Sequence, residues 1–75
     1  MLMKIINEWI FCNRYLKSGE LVSCAIPLDI VHEIVEYRNG HTAIVIDYDG
    51  QMVETDANII DALGVLQKYL LDHEK

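Results

Sequence analysis

Residues 41–56, HTAIVIDYDGQMVETD, constrain what this chain folds into more than any other stretch. An apolar run rich in β-branched side chains (Thr42, Ile44, Val45, Ile46) leads into Asp49-Gly50, and a short run (Met52, Val53) leaves it. β-Branched residues fit a pleated surface, and Asp-Gly tolerates the positive φ of a two-residue reversal. The stretch therefore predicts a β-hairpin with Asp49 and Gly50 as its turn. Tyr48 then opposes Gln51, Ile46 opposes Val53 and Ile44 opposes Thr55. Opposed residues share a face, and faces alternate along a strand. Ile44, Ile46, Tyr48, Gln51, Val53 and Thr55 form the face expected to be buried. Ala43, Val45, Asp47, Met52, Glu54 and Asp56 form the other, which three carboxylates mark as partly wet.

The flanking segments read less cleanly. As a helix, Leu2 to Lys17 puts Leu2, Ile5, Ile6, Trp9, Cys12 and Leu16 on one stripe, ended by Ser18-Gly19. As a strand, it uses the β-formers Trp9, Ile10, Phe11 and Tyr15, with Lys17-Ser18-Gly19-Glu20 as a hairpin loop. Contiguous Ile5-Ile6 and Trp9-Ile10-Phe11-Cys12 break strict alternation, so the helix is the reading taken. Phe11 and Tyr15 then lie four apart on its polar side, an aromatic pair suited to an interface. Glu20 to Ile26 reads as a short strand. In Leu28 to Arg38, the pairs Ile30-Val31 and Ile34-Val35 recur every four residues, which predicts a helix between Pro27 and Asn39-Gly40. The competing reading makes Asn39-Gly40 a hairpin turn and this segment a strand of a three-stranded meander.

Ala57 to about His73 is the last helix, capped by Thr55 or Asp56, with Ile59, Ile60, Leu63, Val65, Leu66 and Leu70 as its buried stripe. Gly64 inside it costs about 1 kcal/mol against alanine, which suggests close approach to the sheet or to a second copy of the helix. The fold expected is a single α+β domain spanning residues 1–75. An antiparallel or mixed sheet is built on the central hairpin, with two or three helices packed on one face.

A chain of 75 residues makes one domain with a marginal core, which partner burial or self-association would help. Apolar residues at 52% argue against disorder. No apolar run approaches the ~20 residues of a membrane helix. The opening MLMKIINEWIF is interrupted by Asn7 and Glu8, and no small-residue cleavage site follows, so a cytoplasmic location is expected. Cys12 and Cys24 are then expected to be free, buried thiols. The net charge of −6 is unevenly spread. Residues 1–19 carry +2, from Lys4, Arg14 and Lys17 against Glu8, and residues 20–66 carry −8, from nine acids against Arg38. Such a middle repels nucleic-acid phosphates and suits a basic protein surface.

No catalytic constellation is legible. His32, His41 and His73 share no ligand spacing, and Ser18, Ser23, Cys12 and Cys24 have no evident base partner. Asp47-Tyr48-Asp49-Gly50 resembles the start of a calcium loop, but the acid expected eleven residues after Asp47 falls at Asn58. Neither a metal nor another cofactor is expected, and the expected function is non-catalytic.

Two family likenesses attach to particular residues. Ile26-Pro27-Leu28-Asp29-Ile30-Val31-His32-Glu33-Ile34, followed by Gly40 and two strands, resembles the swapped-hairpin fold of AbrB- and MazE-type antitoxins over about half the chain. That likeness implies a dimeric regulator reading DNA with basic residues, of which Arg38 is the only one between Glu20 and Leu66. Cys24-Ala25-Ile26-Pro27, followed by Ala43-Ile44-Val45-Ile46-Asp47, resembles hydrogenase-maturation chaperones of the HypC type. Those carry the cysteine directly after the initiator Met, whereas Cys24 is internal here, and their later Gly-Phe-Ala segment is missing. We adopt neither. In size and charge the chain is similar to small acidic inhibitors that bacterial viruses direct at host nucleic-acid enzymes. The expectation is an acidic inhibitor or adaptor binding a basic surface of a nucleic-acid-handling protein, through Asp47, Asp49, Glu54, Asp56, Glu33 and Glu36 with Phe11 and Tyr15. A homodimer is the second partner expected; direct nucleic-acid or membrane contact is not.

Overall fold

The computed structural model describes residues 3–46 and 50–73. Six strands run in chain order: β1 (Lys4–Ile6), β2 (Trp9–Tyr15), β3 (Leu21–Pro27), β4 (Val31–Glu36), β5 (His41–Ile46) and β6 (Met52–Asn58). Among the described residues a single α-helix, α1 (Ile59–His73), follows them. Two short 3-10 turns, Leu28–Ile30 and Arg38–Gly40, precede β4 and β5. This corrects the expectation of two or three helices on a small sheet. The fold is mostly one six-stranded antiparallel sheet with one C-terminal helix.

Both segments read as helices are strands, for identifiable reasons. In β2, Ile10 and Cys12 point into the core while Trp9 and Phe11 point outward and stay exposed. Apolar residues on both faces erase the alternation that announces a half-buried strand. Between β1 and β2 the chain reverses at Asn7 (φ 52°) and Glu8 (φ 69°), both left-handed, as a two-residue hairpin turn requires. In β4, the pairing register shifts by one residue between Val31 and Glu33. Such a bulge inserts a residue and resets the inside–outside phase, so the apolar pairs acquire a spacing of four that mimics a helix. Asn39 (φ 54°) and Gly40 (φ 79°) then turn the chain into β5, the meander reading set aside above.

The central hairpin is present. Ile44 opposes Val53 and Val45 opposes Met52, two residues from the expected register. A slip of two keeps the described side chains on their expected faces, although Gln51 on the face expected to be buried is exposed and Ala43 on the other is fully buried. The Ile46 N–H donates to the Gln51 carbonyl at 2.8 Å. The expected turn at Asp49-Gly50 and the Tyr48–Gln51 pair lie outside the described residues.

β2 organises the sheet. β3 pairs along one of its edges, from Trp9–Pro27 to Tyr15–Leu21. Its other edge takes β1 over Trp9–Phe11 and then β6, where Arg14 opposes Thr55. The meanders β1–β2–β3 and β4–β5–β6 are joined at that junction. Met3, Ile10, Cys12, Ile26, Ile44, Val53, Ala57 and Ala62 form one buried cluster. All but Met3 and Ala62 come from the sheet, so the sheet curls around its own core and the helix adds a cover at one place.

Thr55, the β6 residue at that junction, is tied into its own meander. It is fully buried; its Oγ1 donates to the Thr42 carbonyl (3.1 Å) and accepts from the Ala57 N–H (3.2 Å). The β5–β6 register shifts between His41 and Ala43, so this hydroxyl bonds a carbonyl at the irregularity. β6 continues through Asn58, whose Oδ1 accepts from the Ile60 N–H at 2.8 Å. Asn58 therefore caps the helix, in place of Thr55 or Asp56. The expected buried stripe is also corrected: among the helix residues only Ala62 is fully buried, while Ile60, Leu63 and Leu70 are exposed.

Two isosteric substitutions separate these hydroxyls. Thr55→Val leaves two buried backbone groups short of a partner and is expected to cost about 2–4 kcal/mol. Thr42 Oγ1 is buried without a protein partner among the described residues. Thr42→Val is accordingly expected to be neutral or stabilising. Thermal unfolding of the two variants, read against the parent, checks the contrast.

Candidate functional site

The pleat of the β1–β2–β3 meander sorts its side chains. Even positions of β2 face the core, and odd positions face outward with their cross-strand partners. Ile6 opposes Trp9, which opposes Pro27; Lys4 opposes Phe11, which opposes Ala25; Tyr15 opposes Leu21. The result is an apolar outer strip: Ile6 is 51% exposed, Trp9 44%, Phe11 38% and Leu21 41%. A tryptophan and a phenylalanine two residues apart on one rigid strand are held without loop entropy. Such side chains dominate protein-interface energetics.

The strip continues onto β6 through polar contacts. Ser23 Oγ donates to Asn13 Oδ1 at 3.3 Å, and Asn13 Nδ2 donates to Asp56 Oδ2 at 3.5 Å. On β4–β5–β6, Glu33 lies in a row with Val45 and Met52, and Glu54 in a row with Ala43 and Val35. Glu33, Glu54 and Asp56 therefore share the outer face that β2 presents with Trp9 and Phe11. Glu36 does not join them, and Tyr15 and Asp56 lie on that face only half-exposed. Glu36 has the opposite facing, opposite Thr42 at the end of β4. Tyr15 is half-buried, its ring stacked on His41 with centroids 6.2 Å apart. Asp56 is half-buried against Asn13, which makes it a linker between the meanders. Asp47 and Asp49 lie outside the described residues.

Sequence reading missed Trp9 as a surface residue, because a helix would have turned it inward beside Ile5 and Cys12. The signal was present in the alternation Trp9-Ile10-Phe11-Cys12, once both faces are allowed to be apolar.

The two cysteines are direct cross-strand neighbours on β2 and β3, with Sγ atoms 3.6 Å apart. Both are free thiols, Cys12 buried and Cys24 half-buried. Burial, reinforced by the Cys24 sulfur and the Asp56 carboxylate, pushes the Cys12 thiol up to about 12, against a smaller opposite pull from Arg14. A thiol held neutral is a poor nucleophile and a poor metal ligand. Among the described residues no group of three or more His, Cys, Asp or Glu is arranged to hold a metal ion. Among those residues no helix is long and apolar enough to cross a membrane.

Comparison with known proteins returns no matching family model, no matching curated relative and no matching solved structure.

The Cys12 environment makes the fold alkali-sensitive. The unfolded thiol ionises near its ordinary value of about 8.5, whereas the folded one stays protonated until about 12. The stabilisation is complete below the lower value and is lost as pH rises from there toward the upper one. Urea unfolding measured through this window is expected to show stability falling more steeply in the parent than in Cys12→Ala. In parallel, Cys24 is expected to be alkylated before Cys12 in the folded protein.

Proposed function

We propose that the chain is a non-catalytic protein-interaction module, an inhibitor or adaptor. Its outer sheet face docks a partner that offers an apolar cleft beside a basic surface. The observation that carries this reading is the exposed strip Ile6–Trp9–Phe11 on a regular strand pair. Scattered surface hydrophobes need no explanation, but neighbouring aromatic and aliphatic side chains on one strand pair form a patch of the kind that marks an interaction site. Glu33 and Glu54 extend that face with negative charge, in a segment whose sequence carries −8 over residues 20–66. The division of labour follows from physics. The aromatic strip supplies affinity by burial, and the acidic half supplies selection and steering toward a basic surface.

A nucleic-acid-handling protein is one such partner, since its own substrate requires a basic surface. The two free thiols fit the reducing cytoplasm as the compartment. Reading DNA directly would require clustered Lys and Arg, whereas this outer face is led by aromatic and acidic side chains.

Affinity capture from an extract of the native host is the test, with a single enriched partner then purified. The double substitution Trp9→Ala/Phe11→Ala, at exposed positions, is expected to abolish capture while unfolding at nearly the parent temperature. Glu33→Gln/Glu54→Gln is expected to weaken binding of the purified partner, and to do so mainly at low salt, because screening over ~10 Å at 0.1 M removes exposed charge effects. Capture unaffected by either double substitution contradicts the proposal.

A further inference from the structure

Two thiols lie in contact within the β2–β3 pair, and the proposed docking uses neither. Cys12 and Cys24 are direct cross-strand partners in a register that runs unbroken from Trp9–Pro27 to Tyr15–Leu21. Their Sγ atoms are 3.6 Å apart, which is van der Waals contact for sulfur, so no side chain stands between them. They differ in access. Cys12 is 2% exposed within the core cluster. Cys24 is half-buried on β3, which among the described residues pairs with β2 alone. One thiol is reachable from solvent, and the other is sealed behind it.

The register also fixes the kind of bond this pair can make. The Leu16 N–H donates to the Glu20 carbonyl at 2.8 Å, and the Leu28 N–H donates to the Glu8 carbonyl at 2.9 Å, at the two ends of the ladder. Hydrogen-bonded and non-hydrogen-bonded positions alternate along an antiparallel pair. Stepping inward by two from either end reaches Cys12–Cys24, a hydrogen-bonded position. Pro27, with no N–H to give, stands opposite Trp9 at a non-hydrogen-bonded one. At hydrogen-bonded positions the Cβ atoms stand wider, about 5.5 Å apart, against about 3.8 Å across a disulfide. A bond here draws two well-paired strands together locally, and a disulfide strained in this way is more easily reduced.

We propose that Cys12 and Cys24 are a reversible oxidation site, at which a small-molecule disulfide of the glutathione class enters at Cys24 and converts the two thiols into a cross-strand disulfide. Cys24 loses its proton, and its sulfur attacks one sulfur of the oxidant. The oxidant's S–S bond breaks, one glutathione leaves as a thiolate and takes up a proton, and a Cys24–glutathione disulfide remains. Cys12 then loses its proton and attacks Cys24 Sγ, and the second glutathione leaves in the same way. The pair has given up two electrons and two protons, and the oxidant has become two thiols. Cys12 is placed for the second step and not the first. Burial, the Cys24 sulfur and the Asp56 carboxylate of β6 resist its ionisation, with Arg14 opposing them. Capping Cys24 with glutathione removes that sulfur's charge, while burial remains. The second step is therefore slow, and it quickens with pH as the Cys12 thiolate fraction grows.

Incubation of the folded chain with oxidised glutathione, quenched with acid and read by intact mass and peptide maps, tests the site. The parent is expected to gain one glutathione at Cys24, then to lose it and end two hydrogens lighter, with residues 12 and 24 crosslinked. Cys12→Ala is expected to stop at the Cys24 adduct, and Cys24→Ala to react at least about tenfold more slowly than the parent. Transfer to about a hundredfold excess of reduced over oxidised glutathione is expected to return the parent to two thiols. The parent alone decides the matter if a variant does not fold. A parent that takes no glutathione, takes it first at Cys12, stops at the adduct, links only to a second chain, or keeps its crosslink in the reducing excess overturns the proposal.

Discussion

The pairing of β2 with β6, where Arg14 lies opposite Thr55, is the contact on which the rest of the molecule depends. Each meander alone is a three-stranded sheet whose inner face has nothing to cover it. Joined edge to edge, the two curl until Ile10 and Cys12 of one reach Ile44 and Val53 of the other. At the junction the Thr55 hydroxyl is buried and finds its partners within β5 and β6. It bonds a carbonyl where the β5–β6 register slips, and an amide where the strand runs on toward the helix. A small domain has few ways to bury enough apolar area. Closing a sheet on itself is one that needs little from a helix.

That solution determines which surfaces are left over. Because the core is mostly sheet-on-sheet, α1 adds Ala62 and a few half-buried neighbours and keeps an apolar arc in solvent. Because β2 carries apolar residues on both of its faces, the outside of the meander is apolar as well. One chain thus presents two distinct uncovered surfaces, an aromatic strip on a rigid sheet and an aliphatic stripe on a helix. The acidic residues are concentrated beside the first and kept out of the second.

How much of this was legible follows from particular residues. The hairpin at 41–56 declared itself, because Ile44, Ile46 and Val53 alternate against Glu54 and Asp56, and its facing survived even a register slip of two. The strand 9–15 did not, because Trp9 and Phe11 on its outer face are apolar as well as Ile10 and Cys12 on its inner one. The strand 31–36 was hidden by the bulge at Val31–Glu33, which moves Ile34 and Val35 out of the phase set by Ile30 and Val31. The helix was legible in type and nearly in extent. Its expected buried stripe was not, since Ile60, Leu63 and Leu70 are exposed and Ala62, Val65 and Tyr69 take the side turned to the sheet. Of the acidic site residues, Glu33 and Glu54 share a face because opposed strands carried them there. Asp56 was drawn inward by Asn13, a pairing 43 residues apart in sequence that no local pattern announces.

Amide hydrogen exchange resolved by residue, on dilute monomeric protein, tests the central claim that the sheet closes its own core. Protection is expected to be strongest in β2, β5 and β6, at the level of global unfolding, and weak in α1 beyond Leu66. If the second half of the helix is protected as strongly as those strands, the helix is part of the core and the account is contradicted.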